Sequence, residues 1–326
     1  MENNDIEFDN RLDLKELQAS VTQIKMELAK VIVGQKQLVN LLLTALLAEG
    51  HVLLEGAPGV AKTITAKLLA KSLDVDFSRI QFTPDLMPSD VLGTAIFNLK
   101  KSEFEFKKGP IFSNIVLADE INRAPAKTQA ALFEVMEERQ VTMDGEKYLL
   151  DAPYIILATQ NPIEQEGTYR LPEAQLDRFL LKITIDYPNL EEEVEIITRE
   201  HKLKTTKLAQ ITSSLSREKI IAFQGLISQI VVEPHLIKYI AEIVLNTRTN
   251  PFLYLGASPR ASIAVLKASK AFAAINGRDF VTPEDIKQIA VPVLQHRVIV
   301  TPEREMEGIT STQIINDILQ SVEIPK

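Results

Sequence analysis

The sequence predicts an α/β domain followed by a smaller helical domain. Five short apolar runs predict strands, at residues 51–55, 78–82, 114–118, 154–159 and 180–185. Segments whose apolar residues have helical spacing lie between these runs. Buried parallel strands typically appear as continuous apolar runs joined by helices. After Tyr187-Pro188 there are few strand signals and several apolar helices. The boundary between the two domains is therefore expected near residues 188–205.

The N-terminal residues predict a helical segment over 1–30. Within 11–30 the apolar residues recur at helical spacings, and they are Leu12, Leu14, Leu17, Val21, Ile24 and Leu28. Residues 31–190 are then assigned to the α/β core and residues 191–326 to the helical domain. In the helical domain Ser258, Thr282 and Thr301 each precede a proline, which predicts three helix N-caps. Asp285 stands where a capping box needs its acid.

Two hairpins are predicted inside the core. Residues 94–107 contain two short strand-like runs around Lys100-Lys101-Ser102. Residues 140–150 carry Asp144-Gly145 between strand-like flanks, which is the strongest short hairpin signal. Three aromatic residues of the first hairpin are expected to pack within it, with contact to a substrate in a pore as the alternative; they are Phe97, Phe104 and Phe106.

Composition excludes several classes of protein. With 326 residues, 45% hydrophobic and 25% charged, the chain is an ordinary globular protein rather than a disordered or fibrous one. It has no cysteine, which excludes disulfides and thiolate zinc sites, and its four histidines argue against a dedicated zinc site. A net charge of −8 argues against binding along nucleic-acid phosphates. The acidic N-terminus and short apolar runs predict no signal peptide and no integral membrane segment, hence a cytoplasmic protein.

The first candidate site is a phosphate-binding loop. Residues 56–63, with the sequence GAPGVAKT, follow an apolar strand and open a helix predicted over 63–73. Backbone N–H groups and a helix N-terminus favour phosphate there, Lys62 can reach the β/γ oxygens, and Thr63 offers a hydroxyl to Mg²⁺. Ala61 stands where the usual pattern has glycine, which is tolerable if its φ is negative. A tight strand–helix turn without a ligand is the alternative.

Polar residues end the third and fourth predicted strands. Asp119 and Glu120 follow the apolar run at 115–118, and Asn161 follows the run at 154–159. Ligands of open α/β sheets bind at the carboxyl ends of strands. Asp119 would hold a magnesium-bound water, Glu120 would polarise the attacking water, and Asn161 would contact the γ-phosphate and that water. Plain strand termination and an Asn-Pro turn are the alternatives.

Two arginines complete the set of candidates. Arg178 immediately precedes the fifth predicted strand, and Arg260 lies in the first turn of a helix in the second domain. A cation at a helix N-terminus is mildly unfavourable, so Arg260 should have a compensating anion. A nucleotide phosphate would provide one, and a surface carboxylate is the alternative.

Taken together, these motifs resemble an AAA+ ATPase of the MoxR family, from Val31 onward. The segments that carry the resemblance are GAPGVAKT, LADEINRAPAKTQAALFEVMEE, ATQNPIEQEGTYRLPEAQLDRF and GASPRA. Alanine before the loop lysine is usual in that family. The resemblance implies a P-loop NTPase core with a five-stranded parallel sheet in the order 5-1-4-3-2, followed by an α-helical lid domain. It also matches the first hairpin to the insert shared with magnesium chelatases and MCM helicases.

The resemblance implies a role for each candidate residue. ATP and Mg²⁺ would be the cofactors, with Thr63 and, through water, Asp119 at the metal, and with Lys62, Glu120, Asn161, Arg178 and Arg260 catalytic. The nucleotide would also contact Val33, Gly34, Gly56, Ala57, Pro58, Gly59, Val60, Ala61 and Ile64. Arg178, with Arg170 as second choice, would reach the γ-phosphate of a neighbouring subunit in a ring, usually a hexamer. Arg260 would act as sensor 2, either within its own subunit or across the interface.

The resemblance further implies a chaperone-like remodeller of partner proteins, often ones with a von Willebrand factor A domain. A nucleotide-gated scaffold with little turnover and a DNA motor remain alternatives. Lys100, Lys101, Lys107 and Lys108 are the local support for DNA binding. A metabolic P-loop kinase fits the helical second domain poorly, and the absence of an N-K-x-D motif after the core strands argues against a GTPase.

Overall fold

A computed structural model of the chain describes residues 11–57, 59–161, 169, 171–202 and 205–325. The strands are β1 (His51–Gly56), β2 (Phe77–Gln81), β3 (Gly93–Asn98), β4 (Glu103–Lys108), β5 (Ile115–Asp119), β6 (Gln140–Met143), β7 (Glu146–Leu149), β8 (Ile155–Gln160), β9 (Phe179–Ile185), β10 (Leu253–Leu255) and β11 (Ile299–Val300). The helices are α1 (Lys15–Ala29), α2 (Lys36–Leu47), α3 (Lys62–Ser72), α4 (Pro88–Leu92), α5 (Ala126–Glu138), α6 (Glu173–Leu176), α7 (Leu190–Lys202), α8 (Arg217–Ser228), α9 (Pro234–Thr249), α10 (Pro259–Ile275), α11 (Pro283–Leu294), α12 (Pro302–Met306) and α13 (Ser311–Ser321).

The central sheet has five strands in the order β2-β5-β8-β1-β9, and every pairing is parallel. Numbered among themselves along the chain, these strands stand in the order 5-1-4-3-2. The predicted sheet and its order are therefore confirmed. Each strand begins and ends within one residue of its predicted position. All five carboxyl ends consequently meet at one edge of the sheet.

The two faces of the sheet pack against different parts of the chain. On β1, Leu53 contributes to a cluster with the buried residues of α5, such as Phe133. Val52 and Leu54 point to the other face, where they join a larger cluster with α1, α2, α3 and the helices that follow residue 210. Because successive side chains of a strand alternate between faces, the apolar runs had to be continuous for both faces to be buried.

Both predicted hairpins are present. β3 pairs with β4, and β6 pairs with β7 around Asp144 and Gly145, which both have the positive φ that such a turn requires. In the first hairpin Phe106 packs against Phe112 and Tyr148. Phe97 and Phe104 contact each other edge to face but stay 46% and 72% exposed. Phe97 and Phe104 thus pack within the hairpin as expected, although they stay exposed, whereas Phe106 packs against residues outside the hairpin.

The C-terminal region is helical, as predicted. Thr282 and Asp285 form a complete capping box at the start of α11, with Thr282 N–H donating to the Asp285 carboxylate over 2.9 Å. Ser258 and Thr301 are N-caps by position, but neither side chain makes the capping hydrogen bond. The hydroxyl of Ser258 instead donates to Asp177. Within the described part of the chain, none of the helices combines the length and apolarity needed to cross a bilayer.

His51, the first residue of β1, is buried in a single neutral form. The backbone N–H of Ile156 donates to its Nδ1 over 3.0 Å, so the ring proton lies on Nε2, which donates to the Met136 carbonyl over 3.0 Å. Burial, together with a smaller effect of the charge of Arg139, lowers the pKa of His51 to about 4, and the hydrogen bond to Met136 opposes the shift. Protonation of Nδ1 would therefore break the hydrogen bond from the Ile156 N–H.

We expect acid to destabilise the protein through His51. Its folded pKa of about 4 lies below the ordinary 6.5, so the unfolded chain takes up a proton that the folded chain excludes. Stability should fall as pH drops from about 6.5 to 4, by roughly 3 kcal/mol for this residue. Chemical denaturation across that range, compared with His51→Gln, measures the contribution. An equal pH slope in both proteins would contradict it.

Candidate nucleotide site

The predicted phosphate loop connects β1 to α3 at the carboxyl edge of the sheet. Gly56 is required there, since a Cβ atom would lie 2.7 Å from the carbonyl oxygen of Ile185. Gly59 has a φ of +88°, which glycine adopts without strain. Lys62 is the first residue of α3, and its Nζ donates to the Gly56 carbonyl over 2.7 Å. Pro58 lies outside the described residues.

Ala61 adopts a left-handed conformation, with φ +64° and ψ 16°. The condition that its φ be negative is therefore wrong. The residue is the N-cap of α3, and its carbonyl accepts the first hydrogen bond of the helix, from the Thr65 N–H. The loop thus keeps the backbone path that glycine usually gives. For an L-residue with a side chain this conformation costs about 1–2 kcal/mol.

Replacing Ala61 with Gly should raise the free energy of unfolding by about 0.5–1 kcal/mol. Glycine removes the backbone strain, but it also raises the conformational entropy of the unfolded chain, which offsets part of the gain. The matched control is Ala19→Gly on the exposed side of α1, which should lower stability by about 1 kcal/mol. Equilibrium denaturation of both variants decides the matter. Loss of stability in Ala61→Gly would show that the alanine is not strained.

Asp119 and Glu120 lie at the carboxyl end of β5, as predicted. Thr159 on the neighbouring β8 connects them: its hydroxyl donates to Asp119 Oδ1 over 2.5 Å and accepts from the Glu120 N–H over 2.9 Å. Glu120 has a φ of +58°, a strained conformation that recurs at functional sites. The strain and the hydroxyl together turn the Glu120 side chain away from the path of the strand.

Basic and amide side chains from outside β5 hold the two acids. Arg79 on β2 donates to Asp119 Oδ2 over 2.6 Å, and Gln81 donates to Glu120 Oε2 over 2.9 Å. Arg123 lies 3.0 Å from the same Glu120 oxygen. Sequence analysis missed Arg79 and Gln81. The signal was available, because the predicted order places β2 beside β5 and these two residues share one face at the carboxyl end of β2.

Asn161 follows β8 and is buried, at 8% exposed. Since β8 lies between β1 and β5, this residue comes to the same edge of the sheet as Lys62 and the acid pair. Val33 and Gly34 precede α2; Val33 is buried, and Gly34 has a φ of +75°. A Cβ on Gly34 would overlap the Glu192 carboxylate at 2.3 Å, so α7 begins against this turn.

The two candidate arginines lie together, but at the opposite edge of the sheet. Arg178 forms an ion pair with Glu137 at the end of α5, and Arg260 lies 3.4 Å from the same carboxylate. Both line a cavity of about 250 Å³ with His51, which begins β1. β1 has six residues, so this edge is about 17–20 Å from the phosphate loop. Arg170 lies outside the described residues.

A buried ion pair fixes this arginine cluster. Asp177 accepts from Arg297 Nε over 2.7 Å and from the hydroxyl of Ser258, two residues before Arg260, over 3.0 Å. Arg297 also donates to the carbonyls of Asp177 and Phe179. Burial lowers the pKa of Arg297, and Asp177 opposes that shift. Sequence analysis missed all of these contacts, because they join residues far apart in the chain.

Comparisons with known proteins identify the family to which this fold belongs. Residues 51–181 match the model of the ATPase family associated with various cellular activities, and residues 232–318 match the AAA lid domain. The Bacillus subtilis protein YeaC is 48% identical, over 91% of this chain and 92% of its own. Chaperone MoxR1 of Mycobacterium tuberculosis is 44% identical, over 92% of this chain and 81% of its own.

A solved structure is similar over nearly the whole chain. It is a Cytophaga hutchinsonii protein, provisionally described as an ATPase, with 46% identity and a TM-score of 0.90 over 96% of this chain and 97% of that one. The sheet order, the phosphate loop and the lid define an AAA+ ATPase. Within that class the chain belongs to the MoxR family, as its motifs predicted.

Proposed function

We propose that this protein hydrolyses ATP in a ring of identical subunits. The observation that carries the proposal is the separation of the site into two halves. The phosphate loop, the acid pair and Asn161 lie at one edge of the sheet, whereas Arg178 and Arg260 lie at the other. A site with all its groups then requires two copies, one presenting its arginines to the nucleotide of the next.

The carboxyl edge offers suitable groups for ATP and Mg²⁺. The N–H groups of the 56–63 loop and the N-terminus of α3 favour phosphate, with Lys62 reaching its outer oxygens. Val33 and Gly34 would lie beside the adenine. Thr63 and Asp119 would hold Mg²⁺, the latter through water; a hydroxyl and a carboxylate are hard oxygen donors of the kind it prefers. When bound, Mg²⁺ neutralises charge on the phosphates.

Glu120 is assigned to the attacking water. It would accept the water's proton or orient the water, while Asn161 donates to the γ-phosphate. Arg178 and Arg260 would stabilise the charge on the transferred group of the neighbouring subunit. In the single chain both arginines are paired with Glu137, so the phosphate would replace a carboxylate as their partner. Because the arginines would reach a phosphate only across a contact between subunits, ATP hydrolysis would depend on assembly of the ring.

The free energy of ATP hydrolysis is proposed to drive the remodelling or activation of a client protein. The support is the family and the name of the Mycobacterium tuberculosis relative, which is called a chaperone. A client with a von Willebrand factor A domain and a hexameric ring remain what the family resemblance implies, and a cytoplasmic location remains an expectation from the sequence. Phe97 and Phe104 at the exposed hairpin are available for client contact.

The test is Mg²⁺-dependent ATP hydrolysis over a range of protein concentration, with sedimentation in the presence and absence of nucleotide. Turnover per subunit should rise steeply with concentration, in step with formation of rings. Constant turnover per subunit across the assembly range would contradict the shared site. Nucleotide binding without turnover at any concentration would instead favour the scaffold. Binding to DNA at low salt would favour the DNA motor.

A further inference from the structure

Helix α7 presents its apolar side to solvent. Leu190, Val194 and Ile197 are 80%, 56% and 61% exposed. The side of the helix that faces the rest of the chain is mainly polar: Glu192 lies against Gly34, and Arg199 donates to the Ala29 carbonyl over 2.7 Å. Ile196, 36% exposed, is the one apolar residue of α7 on this side. No residue of α7 is buried.

Helical geometry shows that this orientation is systematic. At about 100° per residue, Leu190, Val194 and Ile197 fall within an arc of about 60°. Glu192 and Arg199 point to the opposite side, toward the body of the protein. A surface helix normally buries its apolar stripe against its own chain, and α7 does the reverse. Among the described residues, none covers this stripe, so it is available to a partner outside the chain.

The exposed side of α10 has the complementary character. Arg260, Ile263 and Lys267 share one side of that helix, and Ile263 is 55% exposed between the two cations. The apolar stripe of α7 is bordered by exposed carboxylates, from Glu191, Glu193 and Glu200. Each surface has an apolar centre, and the charges that surround the two centres are opposite in sign.

These two surfaces cannot meet within one chain. Glu192 of α7 lies at Gly34, just before the start of α2, whereas Ile263 lines the cavity beside Glu49, just after its end. α2 has 12 residues and is about 18 Å long. The surfaces thus occupy opposite ends of α2, and only a second copy can bring them together.

We propose that the α7 stripe of one copy docks on the exposed side of α10 in the next copy. This inference rests on the ring under the proposed function and identifies the contact that builds it. α7 begins at Gly34, beside the proposed adenine position, so the docked α10 brings the neighbour's Arg260 toward the nucleotide. In this contact Ile263 meets the apolar stripe and Lys267 meets the carboxylates beside it, which leaves Arg260 for the neighbour's phosphate.

The chain has no cysteine, which permits a clean cross-linking test. The variant carrying Val194→Cys and Ile263→Cys should, with Mg²⁺ and a non-hydrolysable ATP analogue under mild oxidation, give a ladder of covalent multimers on a non-reducing gel. A disulfide requires Cα atoms within about 7 Å, so single chains cannot close it. The control pairs Val194→Cys with Ile237→Cys, an equally exposed residue on α9.

The outcomes separate this inference from the proposed function. Rings in sedimentation without multimers above the control would overturn the α7–α10 contact and leave the proposed function standing. The absence of rings would overturn both. As a second measurement, Val194→Asp alters a solvent-exposed side chain and should raise the protein concentration needed for half-assembly at least tenfold. An unchanged half-assembly concentration would also overturn the contact.

Discussion

Replacing Arg178 with Ala is expected to lower the rate of ATP hydrolysis by about 10³–10⁵, while nucleotide binding is retained. The reason is that Arg178 lies about 17–20 Å from the phosphate loop of its own chain, so under the proposed function it would stabilise only the neighbour's transition state. Steady-state hydrolysis and binding of a fluorescent ATP analogue measure the two effects separately. Arg304→Ala, which removes another partly exposed arginine, should keep wild-type turnover and serves as the control.

A mixing experiment decides whether Arg178 acts on the neighbouring subunit. Arg178→Ala keeps Glu120, and Glu120→Gln keeps Arg178, so a mixed ring contains interfaces with every group present. Combining the two variants should therefore restore part of the activity that each lacks alone. If the arginine acted within its own chain, no mixture would recover activity. The same experiment with Arg260→Ala shows whether Arg260 acts within its own subunit or on the neighbouring one.

Replacing Glu120 with Gln is expected to lower hydrolysis by about 10²–10⁴, with ATP still bound. The amide keeps the size of the side chain and can still meet Gln81 and Arg123, but it cannot accept a proton from water. Trapped ATP should therefore stabilise the ring, which sedimentation would detect.

The matched control for Glu120→Gln is Glu303→Gln, which neutralises an exposed carboxylate on α12 in the lid. Its turnover should equal that of the wild type. Retained turnover in Glu120→Gln would remove this residue from its assigned role. Loss of ATP binding in that variant would instead show that Glu120 mainly supports the site.

The fold could be predicted from the sequence because its signals are local. Continuous apolar runs such as 115–118 specify strands buried on both faces, and Asp144-Gly145 specifies a tight turn by backbone geometry alone. The candidate residues of the sheet edge were found for the same reason. Strand ends are visible in the sequence, and parallel strands gather their carboxyl ends at one edge.

The arginine cluster shows what local signals cannot supply. The anion expected beside Arg260 is Glu137, 123 residues earlier in the chain. Asp177 and Arg297 meet across 120 residues. Such pairs depend on how helices pack, which no short pattern records. Ala61 shows a different limit: its residue type favours negative φ, and the constraint of the surrounding loop overrides that preference.

The hydrophobic cluster behind the sheet also determines how the lid can move. Residues of β1, α2 and α10 belong to this one cluster, so continuous apolar packing joins the nucleotide core to the lid. Opening it as a hinge would expose that apolar surface to water. Motion between nucleotide states is instead expected as shear, with α10 sliding by small steps over α2 while both stay in contact. The nucleotide state of one subunit would then affect the next subunit in the ring through the small displacement of α10.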